Sequence, residues 1–347
     1  MRICVIGTVG VPACYGGFET LVENLIAENG KEFVVFCSGR FYTERLMVYR
    51  GAQLVYIPIN ANGFQSVLYD SVSILISVLR GHRKLLILGV SGAIILPFVR
   101  FFCQNLHLVV NIDGLEWRRN KWGKFAQRFL KLSEKIAVNY SNIVISDNQA
   151  IADYVLEEYD IASHVIAYGG DNPKIRIDHA RLRRDYALAL CRIEPENNVH
   201  IILEAFSVIN KKIRFIGNWD NSEYGRSLRS KYASFPNIVL LNPVYDQAEL
   251  HSIRSGCDVY IHGHSAGGTN PSLVEMMHYA VPIYAFDCAF NHATLDNLGV
   301  YFNSVEALTR ILSNDLVASA GLPLLEVAQK KYTWEIVSKQ YLSLFPD

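Results

Sequence analysis

Short, continuous apolar runs alternate with stretches of helical length along the whole chain. Runs at Ile3–Ile6, Phe33–Phe36, Leu54–Ile57, Leu85–Leu88, Leu108–Ile112 and Ile143–Ile145 predict strands in the first half. Those at Tyr186–Leu190, Ile213–Ile216, Ile238–Leu241, Val259–Ile261 and Ile283–Phe286 predict strands in the second. Their hydrophobicity is continuous rather than alternating, so both faces are covered, as in the parallel sheets of α/β proteins. The rhythm breaks at Ala167–Pro173, where Gly and Pro precede a charged stretch over Lys174–Asp185, and then restarts. The pattern predicts two doubly wound, Rossmann-like α/β domains facing a cleft, over 1–168 and 169–330, with a closing helix over 331–347. Ligands of such sheets bind at the carboxyl ends of the strands.

Composition narrows the function classes. A chain of 347 residues, half of them hydrophobic, suits two domains with large cores. Lys+Arg and Asp+Glu both number 33, and that zero balance argues against general nucleic-acid binding. The seven cysteines form no CxxC pair and sit mostly in apolar runs, which suits reduced core thiols rather than disulfides or zinc. Met1–Gly7 reads as a first strand, without the apolar region and cleavage site of a signal peptide, so a cytoplasmic location is expected. The most membrane-like run, Leu85–Cys103, is broken by Gly89, Ser91-Gly92, Pro97 and Arg100; it predicts a strand, a turn and a helix rather than a span.

Several constellations carry chemistry. The first strand runs into Gly7–Leu25, where Gly7, Gly10, Gly16 and Gly17 let backbone approach a ligand, and a helix is expected from about Phe18. The spacing is not GxGxxG, and no ribose-binding acid follows the next strand, so a dinucleotide site is disfavoured. Glu19 and Glu23 share one helix face and either touch a sugar or are solvated. Asp113 sits where the fifth strand gives way to a loop, followed by Gly114 and Glu116. A carboxylate there orients or deprotonates an acceptor hydroxyl; otherwise it is an ordinary turn residue. A basic amphipathic helix is expected over 118–139. Lys121, Lys124, Arg128, Lys131 and Lys135 share one face, and Trp122, Phe125, Phe129, Leu132 and Ile136 follow one residue later. That pattern suits an interfacial helix on anionic lipid, or a surface helix whose apolar stripe faces the core.

In the second half, Arg192 follows a buried strand and precedes a helix, a position from which a guanidinium can hold a diphosphate. His262 and His264 have no nearby carboxylate or Cys to complete a metal set, so neutral roles are expected. Gly267–Asp287 reads as a glycine turn, a helix opening at Asn270-Pro271-Ser272, a carboxylate one turn inside at Glu275, and a buried strand. Backbone N–H groups at a helix start favour an anion, and a carboxylate a turn later accepts from hydroxyls. Phosphate plus hydroxyls means a nucleotide or sugar phosphate; the plainer reading is a capped helix. The chain has no Asp-x-Asp pair, nucleophile-elbow serine or P-loop.

Taken together, the segments Gly7–Leu25, Asn111–Lys124, Leu190–Asn198 and His262–Met277 resemble the retaining GT-B glycosyltransferases of the broad family 4 class. The closer resemblance is to bacterial rhamnosyltransferases that carry a conserved N-terminal domain. The resemblance spans nearly the whole chain. It implies that Glu275 is the second of two family glutamates separated by seven residues, the one that binds the donor ribose; the first falls on Gly267. It implies that Arg192 contacts the diphosphate, while the family's partner lysine falls on Asn197. Gly268, Thr269, Asn270, Pro271 and Ser272 match the phosphate-binding helix start, and Gly16 and Gly17 match the loop near the diphosphate. The family's active-site histidine falls on Asp113, placed with Glu19 and Glu116 at the acceptor. Losing one Glu and one Lys fits a 6-deoxyhexose, which needs fewer hydroxyl partners.

The implied activity is transfer of L-rhamnose from dTDP-rhamnose to a polyprenyl-diphosphate-linked glycan, without metal or other cofactor, in the synthesis of a surface polysaccharide such as O-antigen or capsule. Asp113 and Arg192 would be the catalytic residues, and the basic helix would hold the protein on the inner face of the plasma membrane. The alternatives are a UDP- or GDP-linked donor, a nucleotide-sugar epimerase of the same fold, and a catalytically degenerate binding protein.

Overall fold

The computed structural model describes residues 2–14, 16–118, 122–172, 185–314 and 318–346. Lys121, expected on the basic helix face, and Pro173 with the stretch 174–184, expected at the domain break, lie outside the described residues.

In chain order the first elements are β1 (Ile3–Ile6), α1 (Gly17–Asn29), β2 (Phe33–Ser38), β3 (Val48–Tyr49), β4 (Ala52–Ile57), α2 (Ser66–Leu79), β5 (Lys84–Leu88), α3 (Leu96–Phe102), β6 (His107–Asn111), α4 (Lys124–Tyr140), β7 (Ile143–Ser146), α5 (Gln149–Tyr159) and β8 (His164–Val165). There follow β9 (Tyr186–Leu190), α6 (Val199–Ser207), β10 (Ile213–Ile216), α7 (Glu223–Tyr232), β11 (Ile238–Leu241), α8 (Gln247–Ser255), β12 (Cys257–His262), α9 (Pro271–Met277), β13 (Ile283–Phe286), α10 (Ala289–Thr294), β14 (Val300–Phe302), α11 (Val305–Ser313), α12 (Leu322–Lys331) and α13 (Trp334–Ser343). The chain divides into a first unit, Met1–Tyr168 with Trp334–Asp347, and a second, Gly169–Thr333.

The first unit holds a sheet in the order β3-β4-β2-β1-β5-β6-β7-β8. Every pair is parallel except β3 with β4. β1 and β2 are buried at every position, as continuous apolar runs require. The order reverses at β1, which has β2 on one side and β5 on the other. α13 closes this unit: Val337 and Tyr341 are buried, and Asn111 Nδ2 donates to Tyr341 Oη at 2.7 Å. This helix begins at Trp334, so residues 331–333, expected with the closing helix, group with the second unit.

The second unit holds a wholly parallel sheet in the order β11-β10-β9-β12-β13-β14. Its core gathers Phe206, Phe215, Trp219, Tyr232, Ile261 and Phe302 among other buried side chains. Here the order reverses at β9, between β10 and β12. In doubly wound sheets the crevice at such a reversal is the ligand site.

Three strands were not visible in the apolar pattern: β3, β8 and β14. All are edge strands of two or three residues, and apart from Phe302 in β14 their positions are half-buried or exposed, so no continuous run marks them.

Candidate functional site

In the first unit the loop after β1 is held from below by α1. Glu19 Oε1 accepts from Val9 N–H at 2.7 Å, and Glu23 Oε2 accepts from Ala13 N–H at 3.0 Å. Glu23 also accepts from Tyr49 Oη at 2.7 Å and pairs with Arg50 at 2.9 Å. Glu19 is buried, and burial raises its carboxyl above the ordinary range, opposed by the Val9 hydrogen bond. This differs from the expectation of an acid facing a sugar or solvent: the Glu19 carboxylate faces the loop's own backbone. Gly16 precedes α1 and Gly17 opens it, beside the Tyr168 ring.

Asp113 lies two residues past β6, half-buried, with φ 60°, a conformation uncommon for a residue with a side chain. Its N–H donates to Asn111 Oδ1 at 2.9 Å. Glu116 accepts from Trp122 Nε1 at 3.0 Å. Burial, and then the charges of Asp113 and Asp147, drive the Tyr168 phenol well above its ordinary value; Glu19 adds to this. Asp113 and Asp147 follow the neighbouring strands β6 and β7 at their carboxyl ends, where a carboxylate can accept a hydrogen bond from a hydroxyl. Asp147 and Tyr168 were not foreseen as site residues. Asp147 follows its strand much as Asp113 follows β6, and that repetition was the available signal.

In the second unit, Arg192 follows β9 and the Gly263–Asn270 loop follows β12, so both flank the sheet reversal. The Arg192 guanidinium is exposed, with Glu194 Oε2 3.8 Å away. Asn197 is buried and donates from Nδ2 to Arg192 O at 2.7 Å, so this side chain shapes the loop that presents Arg192. The two loops are stitched together. Ser265 donates to Glu196 O from N–H and Oγ at 3.1 and 2.8 Å, and Asn198 Nδ2 donates to Gly263 O at 2.9 Å.

Asn270 caps α9, with Pro271 as the first helical residue. Its Oδ1 accepts from Ser272 N–H at 3.0 Å and from Ser272 Oγ at 2.7 Å, so this N–H already has a partner. Ser272 Oγ is also 3.0 Å from Tyr260 Oη, which donates to Leu190 O at 3.3 Å and so ties the helix start to the end of β9. Thr269 is buried and Gly268 half-buried. Glu275 is paired with buried Arg254, a partner with no local sequence signal. Burial raises the Glu275 carboxyl, and Arg254 opposes the rise.

Gly267 has φ +111°, where an L side chain is strained. A glycine at this position therefore has a backbone cause. His262 is buried and stacked on His264, ring centroids 4.4 Å apart; burial, then His264, hold it well below its ordinary pKa and hence neutral. Among the described residues no group of three His, Cys, Asp or Glu side chains converges on a metal position.

Solved structures share this architecture across 99% of the chain. Sucrose-phosphate synthase from Thermosynechococcus elongatus superposes with a TM-score of 0.81 at 14% identity, covering 98% of that chain. HepE from Anabaena in complex with UDP gives 0.73 at 15% identity, covering 99% of that chain. The chain has the GT-B glycosyltransferase fold. The catalytic domain of starch synthase IV from Arabidopsis thaliana, bound to ADP and acarbose, gives 0.68 at 13% identity over 99% of this chain and 98% of that one. Residues 1–171 match a family described as a domain of unknown function, DUF1972. No curated protein matches the chain.

Proposed function

We propose that this GT-B protein transfers L-rhamnose from dTDP-rhamnose to a lipid-linked oligosaccharide, with retention and without a metal. The observation that carries the reading is the pair of stitched loops at the β9/β12 reversal. They tie the loop that carries the exposed Arg192 to the loop that leads into the capped start of α9, with Glu275 one turn inside that helix. The guanidinium suits a diphosphate, and the Glu275 carboxylate suits ribose hydroxyls. The similar structures of HepE with UDP or UDP-glucose and of starch synthase IV with ADP support a nucleotide-linked donor.

In the reaction the acceptor oxygen bonds to the anomeric carbon as the carbon–oxygen bond to the diphosphate breaks. The acceptor proton passes to the leaving phosphate. Arg192 would stabilise the negative charge growing there. Asp113, just past the end of β6, would orient the attacking acceptor hydroxyl. Rhamnose rests on the resemblance of the sequence segments and on Gly267, whose lack of an acid fits a deoxysugar. The product would be a surface polysaccharide such as O-antigen or capsule. The protein would work on the inner face of the plasma membrane, held by the helix over 124–140. No helix among the described residues is long and apolar enough to cross a membrane.

The test is incubation with a panel of nucleotide sugars, with and without lipid-linked acceptor. Turnover of dTDP-rhamnose with the wild type, and loss of most of it in folded Arg192→Ala, is expected. Turnover of a UDP- or GDP-sugar alone would replace the donor, a reading that the UDP-bound neighbours favour second. Conversion without acceptor would indicate an epimerase. Binding without turnover across the panel would indicate a degenerate binding protein.

A further inference from the structure

The first unit exposes an aromatic cluster that its core does not explain. On α3, Phe98, Phe101 and Phe102 are 59%, 76% and 65% exposed, and Phe125 near the start of α4 is 84% exposed. The Phe102 ring lies 4.8 Å from Phe98 and 5.0 Å from Phe101, so the three form one group. α3 packs on α4, and Arg100 fixes it in place. That guanidinium donates to Leu106 O, Tyr140 O and Asn142 Oδ1 at 2.8, 3.0 and 2.5 Å.

The exposed side of α4 carries the same character. Its buried stripe is Ser133, Glu134, Ala137 and Val138, not the apolar series. Phe125 and Leu132 are therefore exposed beside the exposed Lys124, Arg128 and Lys135. Lys131 departs from that basic face. It turns inward against Glu134 and Glu158, over the rings of Trp117, Tyr154 and Tyr159. Glu134 is the one acid in Lys124–Tyr140, and it is buried, accepting from Tyr154 Oη and Tyr159 Oη at 2.6 and 2.7 Å. Leu96–Phe102 contains no acid. Together the two helices present four phenylalanines and three cations with no exposed carboxylate.

We infer that the α3–α4 face docks on an anionic bilayer, with Phe98, Phe101, Phe102 and Phe125 seated at the boundary of headgroups and acyl chains. Exposed aromatic rings beside cations match such a surface in both polarity and charge. A second copy of the chain would cover the rings, but a two-fold contact through this face would bring together two surfaces that each carry cations and no exposed carboxylate. This deepens the membrane attachment in the proposal above, where the basic helix alone was the hold. The rings add a contact that salt does not screen.

The test is flotation of the full chain with phosphatidylglycerol–phosphatidylethanolamine vesicles at about 0.1 and about 0.5 M NaCl, since the Debye length roughly halves between the two. Binding that persists in part at high salt is expected. Phe98→Ser/Phe101→Ser/Phe125→Ser should weaken it about tenfold or more at both salts. Lys124→Glu/Arg128→Glu/Lys135→Glu should weaken it chiefly at low salt. All six side chains are solvent-exposed, so an unchanged thermal melt should confirm folding. Wild-type flotation of the phenylalanine variant overturns the inference. So does a dimer, seen by light scattering, that the same variant dissolves while neither protein floats. No sugar donor enters the assay, so its failure is separate from failure of the transferase reading.

Discussion

Gly263→Ala asks whether the two loops at the β9/β12 reversal act as one site. A Cβ at Gly263 would lie 2.1 Å from Asn197 O, a backbone atom that no rotamer change can move away. Ordinary contact distance is roughly 3.5 Å, so one loop must retreat by about 1 Å or more. That retreat strains the two Ser265 bonds to Glu196 O and the Asn198 bond to Gly263 O. At about 0.5–1.5 kcal/mol each, their loss costs roughly 2–4 kcal/mol. The same shift moves Arg192 relative to the α9 start, and a displacement of about 1 Å at a reacting centre can cost about a hundredfold in turnover. Urea unfolding reads the first effect, and calorimetric titration with a nucleoside diphosphate plus donor turnover reads the second. Ser265→Ala is the control, losing one bond, with about 1 kcal/mol expected. A Gly263→Ala protein that loses stability but keeps wild-type affinity and turnover would refute the reasoning, because the loops would then be scaffold and the donor would sit elsewhere.

Two further outcomes follow from buried Glu19 and half-buried Glu275. Burial raises the Glu19 carboxyl above its ordinary 4.5, so the folded state holds that proton more tightly than the unfolded chain. The stability it contributes is present below about pH 4.5 and is lost as pH rises through the folded value. Glu19→Gln keeps an acceptor for Val9 N–H and should flatten that limb of a stability–pH curve, whereas Glu19→Ala strands the N–H and should cost about 1–3 kcal/mol at all pH values. Arg254→Met removes the cation opposing the rise at Glu275, so denaturation should become easier as pH climbs. Because Glu275 keeps some solvent access, the loss should fall below the ~3–5 kcal/mol typical of a fully buried broken pair. Arg254→Met/Glu275→Gln should recover most of it in a double-mutant cycle; an additive result would deny the coupling.

The sequence carried the frame of the fold because strands buried on both faces write themselves as unbroken apolar runs. β9, β10, β11 and β13 follow those runs from end to end. Legibility failed where burial is achieved by polar groups. On α4 the reading that turned the apolar stripe toward the core does not hold, since the buried stripe is built on Glu134 with its tyrosine donors, and Lys131 is drawn inward by Glu134, by Glu158 and by rings from α5 and the Trp117 loop. The same holds at the site. Arg192 and Asn270 announce themselves by position after a strand and before a helix, but Arg254 is paired with Glu275 across 21 residues and leaves no local mark. Glu19 and Glu23 show the converse, a helix-face pattern that suggested ligand or solvent but that long-range bonds to the loop claim instead.

The placement of α13 has a consequence for how the protein comes to be folded during synthesis. The first unit's final helix is separated from the rest of that unit by the whole of Gly169–Thr333. At about 5–20 residues per second, the ribosome takes roughly 10–30 s to make that intervening stretch. Throughout that interval α1 lacks its packing partner, and Asn111 lacks the Tyr341 hydroxyl. The first half to emerge is thus the last to be completed. Loss of the final helix would injure the earliest-made unit rather than the neighbour beside it in sequence, and a nascent-chain chaperone would find its target among the opening residues.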